Sequence, residues 1–348
     1  MRTELLPAEA LRGPSARWLG GILCQDLRGL DGSVILSKGH RLQRDDDVNL
    51  DVAAARPLHL AFLDAGDVDE DEAAQRLARA TVGKGVLLGR PVESQITCRA
   101  AERGLVEVDR AALNRLNRQP DVTVFTLPDG MPVDAGRAVA GVKITPLGIS
   151  QQALAAAEQT ASRHRRPVLD VRPFLPLRVG VVVCETLDPP HRERFEAALH
   201  LKMDWFGGSL ERLRYLPHRE AADPEAMSEA ASACDLLLVA GVASTDPLDA
   251  PWTALMAAGA KLVRRGLPVH PGSSYWVVEL AARSVVGVSS CGMFSRRTVL
   301  DVLLARRFSG ARLDRDFLSS LGHGGLLARE LSYHFPDYGP VPGGENAR

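Results

Sequence analysis

DLLLVAGVASTDPLDAPWTAL, residues 235–255, decides the fold. Its opening is a continuous apolar run of the kind that forms a strand buried on both faces. Gly241, two hydroxyl residues and two carboxylates follow, and Pro251 suits the first turn of a helix over 251–258. The same strand–loop–helix unit recurs on either side. VGVVVC, residues 179–184, precedes a helical stripe of Phe195, Leu199 and Met203. RLRYLP precedes a helix over 224–233, and SVVGVS, 284–289, precedes a long helix over 293–308 with Met293, Leu300, Leu304 and Phe308 on one face. Such alternation predicts an α/β domain with a mostly parallel sheet of 179–184, 210–216, 235–241 and 284–289 and helices on both faces. Ligands in such sheets bind beyond the carboxyl ends of the strands.

The preceding half reads differently. GSVILSKGHRL, PLHLAFLDA and GLVEVD are short strand candidates. DVDEDEAAQRLARA places acids at the positive end of a helix that Asp67 or Asp69 can cap, and Asp109 can cap a short helix carrying Leu113 and Leu116. Two β-rich runs flank the turn Pro128-Asp129-Gly130, a hairpin signal. The expected organisation is a mixed α+β, β-rich region over 1–150, a linker over 151–176, the α/β domain over 177–325 and a tail over 326–348. The linker opens as an Ala-rich helical stretch, passes the basic run SRHRRP and ends with three prolines that favour extended chain.

Composition narrows the function classes. Lys and Arg number 42 against 43 Asp and Glu, so no basic excess points to nucleic acid. Apolar residues make up 45% of the 348, but no run approaches the ~18 needed to span a membrane. Cys24, Cys98, Cys184, Cys234 and Cys291 are dispersed, without CxxC spacing, which fits reduced thiols and a cytoplasmic protein. The amino-terminal stretch has charges inside every short apolar run, unlike a signal peptide.

Three loops carry the candidate chemistry. In Gly241–Asp249, backbone amides with Ser244 and Thr245 could hold a phosphate, and Asp246 and Asp249 a hydrated Mg²⁺ bridging to it; alternatively Ser244 or Asp249 merely caps the next helix. Pro271, Gly272, Ser273 and Ser274 form a Pro-Gly turn before an aromatic pair, and Ser289, Ser290, Cys291 and Gly292 open the last long helix. An ordinary turn and an ordinary cap are the plain alternatives. Cys291 could be a helix-terminal nucleophile or a bystander thiol. No GxxxxGK[ST] or GxGxxG occurs, so neither a P-loop nor a dinucleotide fingerprint is present. The acids at 67–72 read as a solvated helix start, and His323 in LGHGGLL as a turn residue or a ligand contact.

LLLVAGVASTDPLDAPWTAL, GAKLVRRGLPVHPGSSYWVVEL and VVGVSSCGMFSRRTVLDVLLARRFSG, in that order, resemble the molybdopterin-binding domain shared by molybdopterin adenylyltransferase and molybdopterin molybdotransferase. The likeness is to a diverged molybdotransferase-like subgroup, and it extends through LGHGGLL and upstream through KGHRL, DEDEAAQRLA, RGLVEVD and VAGVKITPL. It implies a three-layer α/β/α fold, molybdopterin or its adenylylated form as ligand, a divalent cation such as magnesium, and a homodimer. Gly241, Ser244, Asp246, Asp249, Pro271, Gly272 and Cys291 match the family's loops; Val242, Ser289 and Ser290 depart from its glycines and proline, and the cysteines that often close the subgroup's tail are missing from LLARELSYHFPDYGPVPGG. The resemblance implies either a molybdotransferase that inserts molybdate, with Asp246 and Asp249 as its acids, or a non-catalytic carrier or chaperone serving a molybdenum hydroxylase.

Overall fold

The structure, a computed structural model, describes residues 1–7, 10, 17–44, 46, 57–163, 166–216, 220–294, 298–327 and 334–338, with Cys291 and Gly292 described in backbone only. Two compact units emerge. The first comprises residues 1–101, 108–127 and 135–171, the second residues 102–107, 128–134 and 172–348.

In chain order the elements up to residue 173 are β1 (Arg2–Leu6), β2 (Ile22–Leu23), β3 (Leu27–Arg28), β4 (Val34–Leu36), β5 (Leu58–Phe62), β6 (Asp67–Asp69), α1 (Glu70–Thr81), β7 (Val86–Val92), β8 (Gln95–Ala100), β9 (Gly104–Val108), α2 (Arg110–Leu116), β10 (Val122–Thr126), β11 (Pro132–Val133), β12 (Ala138–Ile144), β13 (Gly148–Ser150), α3 (Gln151–Ser162) and β14 (Leu169–Pro173). In the first unit, the antiparallel sheet β10-β12-β8-β7 turns Val124, Val142, Ile144, Ile96 and Cys98 inward. Of the two expected capping residues for α1, Asp69 is the one used, its carboxylate accepting the Asp71 N–H. Asp109 caps α2 through the Ala112 N–H. The Pro128-Asp129-Gly130 turn does not close a tight hairpin: β10 pairs with β12, and β11 between them pairs with β9. The stretch expected as a linker is not bare connector. Its helical opening is α3, which buries Leu154, Ala157 and Ala161 and ties Glu158 to Arg76 of α1 at 2.9 Å. Buried apolar area of that kind, at ~25 cal/mol per Å², keeps a segment inside a domain. Residues 164–165 of the basic run lie outside the described residues.

The second unit continues with β15 (Arg178–Val183), α4 (Pro189–Phe206), β16 (Ser209–Tyr215), α5 (Pro224–Ser232), β17 (Leu236–Ala240), α6 (Ala250–Ala257), β18 (Lys261–Arg265), β19 (Trp276–Leu280), β20 (Arg283–Val288), α7 (Ser290–Met293), α8 (Val299–Phe308) and α9 (Arg315–Ser320). The sheet order is β16-β15-β17-β20-β19-β18. The four expected strands are mutually parallel, and β19 and β18 add an antiparallel edge. The fold is therefore α/β with a mostly parallel six-stranded sheet, following β-rich antiparallel sheets. One sheet face packs against Phe195, Leu199 and Met203 of α4 and Leu304 and Phe308 of α8. The other packs against Met227 and Ala231 of α5 and Leu255 of α6.

Two local departures matter. The expected helix over 293–308 is instead the short α7 and a separate α8, whose start is set by a capping box: Thr298 accepts from α8's first turn and Asp301 accepts the Thr298 N–H. A helix with its own cap begins there rather than running through. Asp301 also meets Lys202 and the Tyr338 hydroxyl deep in the unit. The other departure is β18. Lys261, Leu262 and Arg265 are exposed on it, an edge strand protected by charge rather than an alternating apolar one.

Candidate functional site

The register of the parallel strands sets the site. Val183, Ala240 and Val288 are successive partners across β15, β17 and β20. The residues that follow them, Cys184 and Glu185, Gly241, and Ser289, therefore emerge side by side at the carboxyl edge. The Gly241 and Val242 N–H groups both donate to Val288 O, at 2.9 and 3.3 Å. Gly241 has φ +79°, and a Cβ there would lie 2.5 Å from Glu185 Cβ. Both the left-handed backbone and the close approach demand glycine.

Val242 does not face this edge. It is buried in the core against α5 and α6. Val242, which the sequence resemblance sets against a glycine, is a packing residue here, and its side chain points into the core rather than toward the strand edge.

The acid loop splits the two expected carboxylates. Asp246 is exposed, and its Oδ1 accepts the Leu248 N–H at 2.8 Å. Asp249 is 7% exposed, and its Oδ2 accepts the Ala243 N–H at 3.2 Å, inside its own loop. The expected two-carboxylate cation site thus has one outward member, because a buried carboxylate needs a donor and Asp249 finds it in the loop backbone. Among the described residues no group of three His, Cys, Asp or Glu side chains is placed to hold a metal. The Ser244 hydroxyl oxygen is buried without a hydrogen-bond partner, as is Glu185 Oε2 at the end of the neighbouring strand. Thr245 is exposed.

Cys184, one residue before Glu185, carries a thiol displaced from its ordinary range. Burial, with a smaller contribution from the Asp249 carboxylate, pushes its thiol up to about 12. It is a protonated packing residue, not a nucleophile.

The other two loops reach the same edge of the sheet. β18 runs parallel to β20, because each is antiparallel to β19, so the turn between β18 and β19 lies at the carboxyl edge. Pro271, which follows a cis peptide bond, Ser273 and Ser274 are exposed there. Gly272 has φ +120°, and a Cβ would lie 2.3 Å from Val299 Cγ1 at the start of α8. Ser289 is the N-cap of α7 and is buried; Ser290 is its first residue. The Cys291 side chain lies outside the described residues. His323 is exposed in a turn.

Sequence reasoning missed three contributors. Glu185 stands just past the apolar run 179–184 and was given no role in the sequence. Arg265 holds the acid loop: its guanidinium donates to Ser244 O and Asp246 O and lies over the Trp252 ring. Phe294, after α7, packs edge-on against His191 of α4 at 5.5 Å and adds an aromatic wall beside these loops. The signal available for Glu185 was its position immediately after a buried strand, the place where α/β sheets present functional groups.

Comparison with known proteins gives one kind of match. No protein-family profile matches the sequence. No curated protein matches it. Among solved structures, a molybdopterin biosynthesis MoeA protein from Pyrococcus horikosii is similar with a TM-score of 0.29 and 13% identity, over 70% of this chain and 80% of that one. A molybdenum cofactor biosynthesis protein from Pyrococcus furiosus is similar with a TM-score of 0.25 and 17% identity, over 60% and 73%. The chain bears a distant structural resemblance to molybdenum cofactor biosynthesis proteins.

Proposed function

We propose that the chain binds molybdopterin, as a protein of molybdenum cofactor biosynthesis, at the carboxyl edge of the second unit's sheet. The observation that carries this reading is the pair of orphaned buried polar atoms, Glu185 Oε2 and Ser244 Oγ, that follow adjacent strands across Gly241. Leaving a buried polar group unsatisfied costs about 1–3 kcal/mol. Two such groups at one strand edge are what a ligand with both donors and acceptors would complete. A pterin ring supplies N–H donors for the carboxylate, and a terminal phosphate accepts from the Ser244 hydroxyl and the loop amides. The sequence likeness of the three loops to the molybdopterin-binding domain supports the choice of ligand.

Gly241, Ser244 and Thr245 face the phosphate in this reading, and Ser273, Ser289 and Ser290 supply hydroxyls from the other two loops. The donor set fits a magnesium ion in part: Asp246 is a carboxylate open to a hydrated cation and phosphate oxygens, whereas Asp249 is turned inward. Insertion of molybdate into adenylylated molybdopterin places Asp246 next to the reacting phosphate. The second reading is a carrier that delivers cofactor to a molybdenum hydroxylase, and the inward Asp249 favours it. Isothermal titration with molybdopterin and a molybdate-insertion assay on Asp246→Asn separate the two. For the transferase, insertion falls at least about tenfold while binding changes little, since one cation ligand is lost. For the carrier, wild-type protein binds and inserts nothing. Absence of binding by the wild type overturns both.

A further inference from the structure

The acid loop is held by a strand that is not its neighbour. β20 and β19 stand between β17 and β18 in the sheet. That is three strand spacings, ~14 Å at ~4.8 Å each. Arg265, the last residue of β18, meets the loop that leans across this gap. Its Nε and Nη2 donate to Ser244 O at 3.1 and 2.7 Å, and Nη2 also donates to Asp246 O at 3.1 Å. Its guanidinium carbon lies 4.7 Å from the Trp252 ring centroid on α6. Residues 245–248 are otherwise exposed.

The fork is directed at main-chain carbonyls, which fixes the direction of the peptides. In a trans peptide the C=O and the next N–H point to opposite sides. With Ser244 O drawn to Arg265, the Thr245 N–H is directed away from it. Asp246 O precedes Pro247, which has no N–H. The Ser244–Thr245 peptide is therefore where Arg265 sets the aim of a loop amide, next to the orphaned Ser244 hydroxyl.

We infer that Arg265 is a positioning residue for the phosphate-bearing end of the ligand: it orients the Thr245 N–H and Ser244 hydroxyl through the loop backbone. The phosphate assignment rests on the molybdopterin reading; the ordering of the loop does not. Lysine cannot replace it, because a point charge on a flexible stem reproduces neither the two-carbonyl fork nor the stack on Trp252.

The test compares wild type with Arg265→Lys and Arg265→Ala in three measurements: amide hydrogen exchange over 243–249, melting temperature, and titration with molybdopterin and with a pterin lacking the phosphate. Exchange at Asp246, whose N–H donates to Ala243 O at 2.9 Å within the loop, should rise about tenfold in both variants, with the melting temperature nearly unchanged because local opening at an exposed loop is separate from global unfolding. The dissociation constant for molybdopterin should rise about tenfold and that for the phosphate-free pterin less than about twofold, since only the phosphate uses the aimed donors. Wild-type exchange in Arg265→Ala overturns the inference, as does equal loss for both pterins or full retention by Arg265→Lys. If the wild type binds neither pterin, the molybdopterin reading fails, and the exchange of the loop by itself decides whether Arg265 orders it.

Discussion

Glu185 is a carboxylate whose Oε2 is buried without a partner, and that makes it expensive to keep. Replacing it with alanine should raise stability by about 1 kcal/mol, the reverse of the usual effect of a substitution, and, on the proposed molybdopterin reading, weaken the affinity for that ligand. Chemical denaturation alongside titration with molybdopterin reads both; a loss of stability together with unchanged affinity would mean that Glu185 is a structural residue. Cys184 gives a pH dependence. Its thiol is pushed from 9.0 to about 12 in the folded chain, so the fold holds the proton more tightly than the unfolded chain does. That contribution is complete below pH 9 and is lost as pH rises from there toward about 12. Urea unfolding at pH 8, 9 and 10 should show stability falling, with a shallower fall in Cys184→Ala; the Tyr215 hydroxyl, also raised to about 12 by burial and the nearby Glu196, sustains part of the slope in both. What was legible at this scale was Gly241, since a glycine ending a buried strand announces a close approach. Glu185 was not, because its burial depends on Gly241 in another strand. The role of Val242 was not legible for the same reason: only the core on the far face shows where its side chain goes.

At the scale of elements, β15, β17 and β20 were legible because each is a largely continuous apolar run, and β16, which carries charges, by its place between two helical stretches; β18 and β19 were not. β18 is a basic edge, and the turn joining β19 to β20 is Ala281-Ala282, with φ +50° and +61°. A two-residue hairpin with both residues left-handed normally advertises itself as Asn-Gly. Here neither residue has that freedom, so the usual signal is missing. Glu93-Ser94, between β7 and β8, repeats the case at φ +49° and +62°. An alanine held left-handed costs roughly 1 kcal/mol relative to glycine. Ala282→Gly should therefore stabilise the protein by about that amount, and Ala281→Asn with Ala282→Gly by somewhat more. Thermal unfolding measures it, and an unchanged or lowered midpoint would show that the turn is not strained. Because the turn is at the amino edge of β20, the affinity for any ligand at the carboxyl edge should stay the same.

At the scale of the whole molecule, we propose, from the sequence resemblance of the three loops alone, that the chain forms a homodimer, and light scattering should then give twice the mass of one chain. A single-chain mass at every concentration would refute it. Among the described residues no helix is long and apolar enough to cross a membrane. The four tryptophans are distributed in a way that has a use of its own. Trp18 lies in the core of the first unit, and Trp205 and Trp276 lie buried in the second. Trp252 alone is partly exposed, with the guanidinium of Arg265 over its ring beside the acid loop. The molecule is in effect built with one optical probe at that loop and three shielded ones. A water-borne quencher such as iodide should reach Trp252 and spare the rest, so a quenchable fraction of the emission belongs to the loop. A ligand that settles on Ser244 and Thr245 would announce itself as a change in that fraction, with no label attached.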